Sequence, residues 1–256
     1  MNIETIFDCE ERYTASFCQT YKGPDFIRYA DATMLDMYEY NKVVILTEDE
    51  HRYTKIIREE MELNRTENKD FCDIRLPKRV DESFLNKLPL LPEVTNYGYF
   101  AAFAEQLDSI KGNEACEIRK AESEEMIKDR TRVEQISYPG RERETFFERK
   151  GQHNEKAYMA SEDVSAYICY KDGQPIGKAD LFLYKNVAMI EDFDVIPTFQ
   201  RKGYGTAVIG RLVQEALKKR AEVVFLTTDV DDMAKVLYQR LGFSYYPGRT
   251  QLFFSL

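Results

Sequence analysis

Six consecutive residues, Gln200-Arg201-Lys202-Gly203-Tyr204-Gly205, combine the groups that hold an anion. They stand between a predicted strand, Val187 to Pro197, and a predicted helix, Thr206 to Arg220. The first N–H groups of a helix have no intrahelical partner and mark the positive end of its dipole, so phosphates bind there. Gly203 and Gly205 let the backbone approach a ligand with no Cβ in the way. Gln200, Arg201 and Lys202 add donors and two positive charges at the rim. Walker-type G-x-x-x-x-G-K-[ST] and the three-glycine dinucleotide fingerprint are both absent. Taken alone, a two-glycine loop reads equally as a tight strand-to-helix turn.

The flanking elements fit that role. Val208, Ile209, Leu212, Val213 and Leu217 recur at helical spacing and give the helix one apolar face. Lys218, Lys219 and Arg220 suit its negative end. The strand carries apolar residues on both faces, as a covered strand does, yet Glu191, Asp192 and Asp194 interrupt it. A carboxylate in a buried strand is costly unless it is paired or faces a cleft. Strict alternation sends Glu191 to one face with Phe193 and Val195, and Asp192 to the other with Asp194. Two readings stand: groups of a reactive cleft, or structural partners of nearby Arg and Lys.

Val195-x-Pro197-x-x-Gln200-Arg201-Lys202-Gly203-Tyr204-Gly205 resembles the acetyl-CoA loop of the GNAT-type N-acetyltransferases. Asp231-x-x-Ala234-x-x-Leu237-Tyr238-x-x-Leu241-Gly242-Phe243 resembles a later helix of the same family, in the family's order and at its usual separation. The likeness covers roughly residues 115–256. It implies an α/β fold with a mixed, mostly antiparallel sheet flanked by helices. It implies acetyl-CoA as the acetyl donor and no metal, with Phe193, Val195, Gln200, Arg201, Lys202, Gly203, Tyr204, Gly205, Thr206 and Asp231 holding the donor. It makes Tyr238 the acid that protonates the departing CoA thiolate. It makes Glu191 and Asp192 the groups that bind the acceptor amine or draw its proton away. The family more often has asparagine where Asp231 stands; aspartate caps a helix equally well, but a side-chain contact with the donor is left open. By position alone Tyr238 reads as a core tyrosine with a satisfied hydroxyl. The implied activity is acetyl transfer to a primary amine of a small molecule or protein. The alternative is a non-catalytic acetyl-CoA-binding or regulatory protein whose N-terminal part engages a partner.

Composition narrows the classes further. At 256 residues and 43% apolar, the chain holds one large or two ordinary domains with a buried core. No apolar run approaches the ~18 residues of a membrane span, and the N-terminus lacks a basic-then-apolar signal pattern. Five scattered cysteines, Cys9, Cys18, Cys72, Cys116 and Cys169, form neither a metal knuckle nor a disulfide framework, which points to a reduced, cytoplasmic protein. Two histidines leave little material for a metal site or a Ser-His-Asp triad. Residues 1–114 hold 14 Lys/Arg against 23 Asp/Glu, and residues 115–256 hold 22 of each, so the net charge of −9 sits in the first part. That disfavours nucleic acid as a partner. A monomer or homodimer is the expected state.

The rest of the chain reads as strand and helix in alternation. Residues 1–112 form a smaller α/β domain of unknown role, a degenerate copy of the same fold or an unrelated cap, and residues 115–256 the transferase domain. Lys111-Gly112-Asn113 is the expected boundary. In the first part, Glu11–Tyr21, Asp49–Asn64 and Asp81–Leu88 read as helices. Phe26–Met34, Lys42–Thr47, Phe71–Leu76 and Tyr97–Phe103 read as strands. In the second, Cys116–Ala121 is a strand and Ser123 caps a helix that stops at Pro139-Gly140. A helical stretch over Glu142–Glu148 and a hairpin of Ser165–Tyr170 with Pro175–Tyr184 precede the central strand. Glu222–Thr228 follows the loop's helix. Asp231 is expected to cap the next helix, and Phe243–Tyr246 and Thr250–Phe254 to close the sheet around Pro247-Gly248-Arg249.

Overall fold

The computed structural model describes residues 3–256, with every side chain in that range except Arg141. Helix α1 spans Ile3–Ala15, and strands β1 and β2 span Gln19–Lys22 and Phe26–Ala30. Strand β3 (Lys42–Ile45), helix α2 (Glu50–Thr66) and strand β4 (Phe71–Leu76) follow, then α3 (Glu82–Leu85) and β5 (Glu93–Phe103). Next come β6 (Glu117–Lys120), α4 (Glu124–Ser137), α5 (Arg141–Ala160), β7 (Val164–Lys171), β8 (Gln174–Tyr184) and β9 (Val187–Val195). The chain ends with α6 (Tyr204–Lys218), β10 (Val223–Asp229), α7 (Ala234–Arg240) and β11 (Ser244–Ser255).

Two compact units share the chain. The first takes the stretch through Phe17 together with Phe100–Leu226 and Met233–Tyr245; the second takes Cys18–Tyr99, Thr227–Asp232 and Tyr246–Leu256. They are interleaved along the sequence, where composition alone suggested one boundary at 112–115. The reason is visible at that boundary. Gln214 Nε2 in α6 donates to Asp108 O and Oδ1 at 3.0 and 2.8 Å. Gly112 lies so close to α6 that a Cβ there would stand 2.1 Å from Ala207 N. The Lys111-Gly112-Asn113 turn is thus strapped to the helix rather than free.

In the first unit the strand order is β10-β9-β8-β7-β6. β9 and β10 run parallel, and the other pairs are antiparallel. The apolar face of α6 supplies Val208, Ile209, Leu212, Val213 and Ala216, each at most 1% exposed, to a core shared with Leu181, Ala188 and Ile190. Burying such side chains stabilises by about 1.5–3 kcal/mol each. Helix α1 packs Tyr13 edge-on against Phe17 and Phe182. It covers part of the stretch expected as a helix at Glu11–Tyr21, whose tail is instead β1.

In the second unit the order is β1-β2-β3-β4-β11, with β3 and β4 parallel across α2 and the other pairs antiparallel. Asp49 caps α2 by accepting from His51 N, and Asp81 caps α3 by accepting from Phe84 N. Ser123 caps α4 in the first unit through Met126 N. Such caps stabilise by about 1 kcal/mol each. Two expectations change. The second helical stretch extends to a 20-residue α5. The closing strands are one, β11, because Gly248 does not turn the chain: it passes so near the Tyr99 ring that a Cβ would lie 2.3 Å from it.

Candidate functional site

The loop before α6 is built by its backbone. Arg201 (φ 61°) and Gly203 (φ 84°) are both left-handed, and Gly203 is the N-cap of α6 with no side chain bonded to the helix end. Among the described residues, no acceptor in the chain takes the backbone N–H groups of residues 201–206. Gln200 Nε2 donates to Val195 O at 2.8 Å and ties the loop to the strand end. Lys202 Nζ donates to Thr198 O at 2.7 Å, and Arg201 and Lys202 are both exposed at the rim. Asn113 clamps the far side: its N–H donates to Gly203 O at 3.1 Å and its Nδ2 to Lys202 O at 2.8 Å. A Cβ on Gly205 would stand 3.1 Å from Phe193 Cζ, so glycine is what lets the first turn of α6 close on β9. Leu237 of α7 reaches the same point, at 3.8 Å. Its neighbour Tyr238 is buried edge-on between Phe100 and Phe243.

Strand β9 departs from strict alternation. Its parallel register with β10 runs Val187↔Val223 to Met189↔Phe225. On its other side Glu191 pairs with Asp180 and Asp194 with Lys178, so β9 carries one more residue than β8 between those points. The extra residue is a β-bulge, and Asp192 there has φ 47°. Residues directly opposite in an antiparallel pair share a face. Glu191 therefore lies on the face of Asp180 and Asp194 on that of Lys178, and Asp192 bonds into the same group. The expectation that Glu191 opposes Asp192 and Asp194 is corrected: an inserted residue is invisible to a period of two.

On that face three cations, Arg130, Lys150 and Lys178, are bonded into one cluster with the carboxylates of Glu134, Asp180 and Asp192. Arg130 (1% exposed) bonds Asp180 at 3.2 Å and Glu134 at 3.4 Å, and also pairs with Asp192. Lys150 Nζ reaches Glu134 at 2.7 Å and Asp192 at 2.8 Å. Lys178 Nζ reaches Glu134 at 2.9 Å, pairs with the Asp192 carboxylate and donates to Asp192 O at 3.0 Å. Tyr13 and Tyr158 both donate to Asp180 Oδ2, at 2.8 and 2.7 Å. Burial alone would raise the pKa of Asp192 and of Glu134. The charges of Lys150, Lys178 and Arg130 outweigh it and hold Glu134 below, and Asp192 well below, the usual carboxylate range. Asp192 is thus a fixed anion. Asp194 is the opposite case: burial pushes its carboxyl up, and its Oδ2 is buried without a hydrogen-bond partner.

Of the residues singled out by sequence, Phe193, Val195, Gln200, Arg201, Lys202, Gly203, Tyr204, Gly205 and Thr206 form one continuous strand-end and loop. Glu191 and Asp192 share the charged face next to it. Asp231 is exposed in the second unit's Thr227–Asp232 segment, where its N–H donates to Asp229 Oδ1 at 2.9 Å. It does not cap α7, whose N-cap is Met233. Asn113, Arg130, Lys150, Lys178 and Asp180 were missed. One signal was present: Lys178 and Asp180 are charges inside the apolar strand sequence QPIGKADLFLY, next to another strand with the same anomaly.

Residues 125–243 match the acetyltransferase (GNAT) family model. An uncharacterized N-acetyltransferase of Bacillus subtilis, CgeE, is 30% identical over 94 residues, which is 35% of this chain and 36% of that protein. The chain thus spans little more than a third of that curated relative. A functionally unknown conserved protein from Staphylococcus epidermidis has a similar structure (TM-score 0.78, 18% identity, 93% of this chain and 94% of that one). A GCN5-related N-acetyltransferase from Kribbella flavida is similar too (TM-score 0.68, 14% identity, 97% and 93%). Among the described residues no helix is long and apolar enough to cross a membrane, and no His/Cys/Asp/Glu group is arranged to hold a metal ion.

Proposed function

We propose that the protein, whose residues 125–243 match the acetyltransferase (GNAT) family model, moves an acetyl group from acetyl-CoA to a primary amine of a small molecule or protein by direct transfer. The observation that carries this reading is the run of unpartnered N–H groups at residues 201–206, capped by a left-handed Gly203. Phosphate oxygens are what such a helix start holds. Asn113 and Gln200 preorganise it, and Arg201 adds charge. Acetyl-CoA supplies the activated acetyl group as a thioester.

The chain's own residues divide the remaining work. The backbone N–H of Phe193, just past the bulge, steadies negative charge on the acyl oxygen. An aliphatic ammonium, with a pKa near ~10.4, must lose a proton before it attacks. Asp194 takes that proton, because burial raises its proton affinity, while Asp192 binds protons too weakly to do so. Glu191 stands on the same face for the acceptor amine. Tyr238 returns a proton to the departing sulfur.

Two variants test the roles. Tyr238→Phe is expected to lower kcat about tenfold or more while acetyl-CoA affinity stays unchanged; equal turnover removes Tyr238 from the chemistry. Asp194→Asn is expected to lower kcat/KM about 100-fold. In wild type, kcat/KM rises with pH as the Asp194 carboxyl ionises, above its ordinary range, and this limb disappears in Asp194→Asn. Persistence of the limb assigns it to another group.

Calorimetry with acetyl-CoA tests the whole reading, with micromolar binding near −8 kcal/mol expected. A thiol-release screen over amines and peptides follows. Binding without release in any case supports a non-catalytic acetyl-CoA-binding protein instead.

A further inference from the structure

Lys178 is buried, at 2% exposure, in the middle of β8. It does more there than neutralise acids. Its Nζ carries three N–H donors, and their acceptors are Glu134 Oε1, Asp192 Oδ1 and the main-chain oxygen Asp192 O. The last contact is the informative one. Asp192 is the bulge residue, with φ 47°, a conformation L-residues other than Asn and Asp rarely hold. Such a backbone persists when its surroundings over-determine it. The carbonyl of Asp192 and the N–H of Phe193 belong to one peptide plane. In a trans peptide they point in opposite directions. Anchoring the oxygen therefore aims the N–H away from the ion cluster. The register pairs neither Asp192 nor Phe193 with a residue of β8, whereas Lys178 Nζ bonds Asp192 O directly.

We propose that Lys178 is a positioning residue for acetyl transfer: by holding Asp192 O it fixes the direction in which the Phe193 N–H meets the acyl oxygen. Arg130 and Lys150 also neutralise the Asp192 side chain, but only Lys178 bonds its carbonyl. Glu134 in turn holds Lys178 from α4, so the helix is coupled to the orientation of one peptide on the strand. The inference rests on the acetyl-CoA reading above.

The test uses the full-length, ¹⁵N-labelled chain titrated with acetyl-CoA, followed at the amides of Gly203, Gly205 and Phe193. In wild type all three are expected to shift, the Phe193 proton downfield. Lys178→Met alone leaves buried acids in excess, so it is paired with Glu134→Gln to keep the cluster balanced. In Lys178→Met/Glu134→Gln, Gly203 and Gly205 are expected to titrate with the wild-type Kd while the Phe193 response is lost. With an acceptor amine, kcat is expected to fall about 100-fold with the KM for acetyl-CoA unchanged. Lys178→Arg keeps a donor for Asp192 O and is expected to retain most of both responses, and it carries the test if the double variant does not fold. A Phe193 shift surviving in the double variant, loss in Lys178→Arg equal to that in the double variant, or glycine responses without a Phe193 response in wild type overturns the inference alone. Silence at Gly203 and Gly205 in wild type overturns the acetyl-CoA reading, and the inference with it.

Discussion

Arg130→Met is expected to destabilise the protein by about 3–5 kcal/mol, the range for removing one partner of a buried ion network. Arg130 is 1% exposed and bonds all three acids of the cluster, Glu134, Asp180 and Asp192. Its loss leaves two cations for three carboxylates, two of them, Glu134 and Asp180, at most 2% exposed. Methionine fills the volume but offers no donor. Chemical denaturation measures the effect, and a loss below about 1 kcal/mol would show that the cluster is far better solvated than its burial implies. Adding Asp180→Asn restores the charge balance and is expected to recover part of the loss. The pH dependence has a definite sign. Glu134 and Asp192 ionise more readily folded than unfolded, so their stabilisation is complete above the ordinary carboxylate range, near ~4, and fades as pH falls below it. Without Arg130 the fading still begins near ~4, but it is smaller and complete at a higher pH, because each acid has lost part of what held its folded pKa down.

Gly203→Val is expected to weaken acetyl-CoA binding by about 100-fold or more, with the fold retained. Two costs combine. At φ 84° a β-branched residue is strained by roughly 1–3 kcal/mol. A Cβ itself would make no more than ordinary contact with Asn113 N and Cβ at 3.4 Å, so it is valine's two added methyls that crowd the residue clamping the loop. Relief of either displaces the N–H groups of residues 201–206 together. Gly203→Asn is the control, since asparagine tolerates left-handed backbone, and it should lose far less affinity. Calorimetry separates them; a valine variant that binds within threefold of wild type would place the phosphates elsewhere.

The loop, its helix and its strand were legible because each carries a local signature: glycines at a helix start, apolar residues at helical spacing, a strand ended by proline. The cap Ser123 and the strand Phe71–Leu76 were legible for the same reason. The charged face was not. Its contacts join residues as far apart as Tyr13 and Asp180, 167 positions in sequence, and its register depends on a bulge that periodicity cannot express. Asn113 looked like turn material because its clamp partners, Lys202 and Gly203, lie far along the chain. Asp194 was visible as a strand carboxylate; only its environment sets it apart from Asp192.

Among the described residues are two parallel strand–helix–strand crossovers, β3–α2–β4 and β9–α6–β10. They differ at the helix start. Helix α6 opens on a glycine, whereas α2 opens on Asp49, whose own carboxylate accepts a hydrogen bond from the helix end, with Glu48 and Glu50 beside it. The β3–α2–β4 crossover thus carries its anion covalently, and an incoming phosphate there meets three negative charges instead of open donors. On the proposed acetyl-CoA reading the expected consequence is a stoichiometry, one equivalent per chain by calorimetry, set by whether a helix begins on glycine or on aspartate.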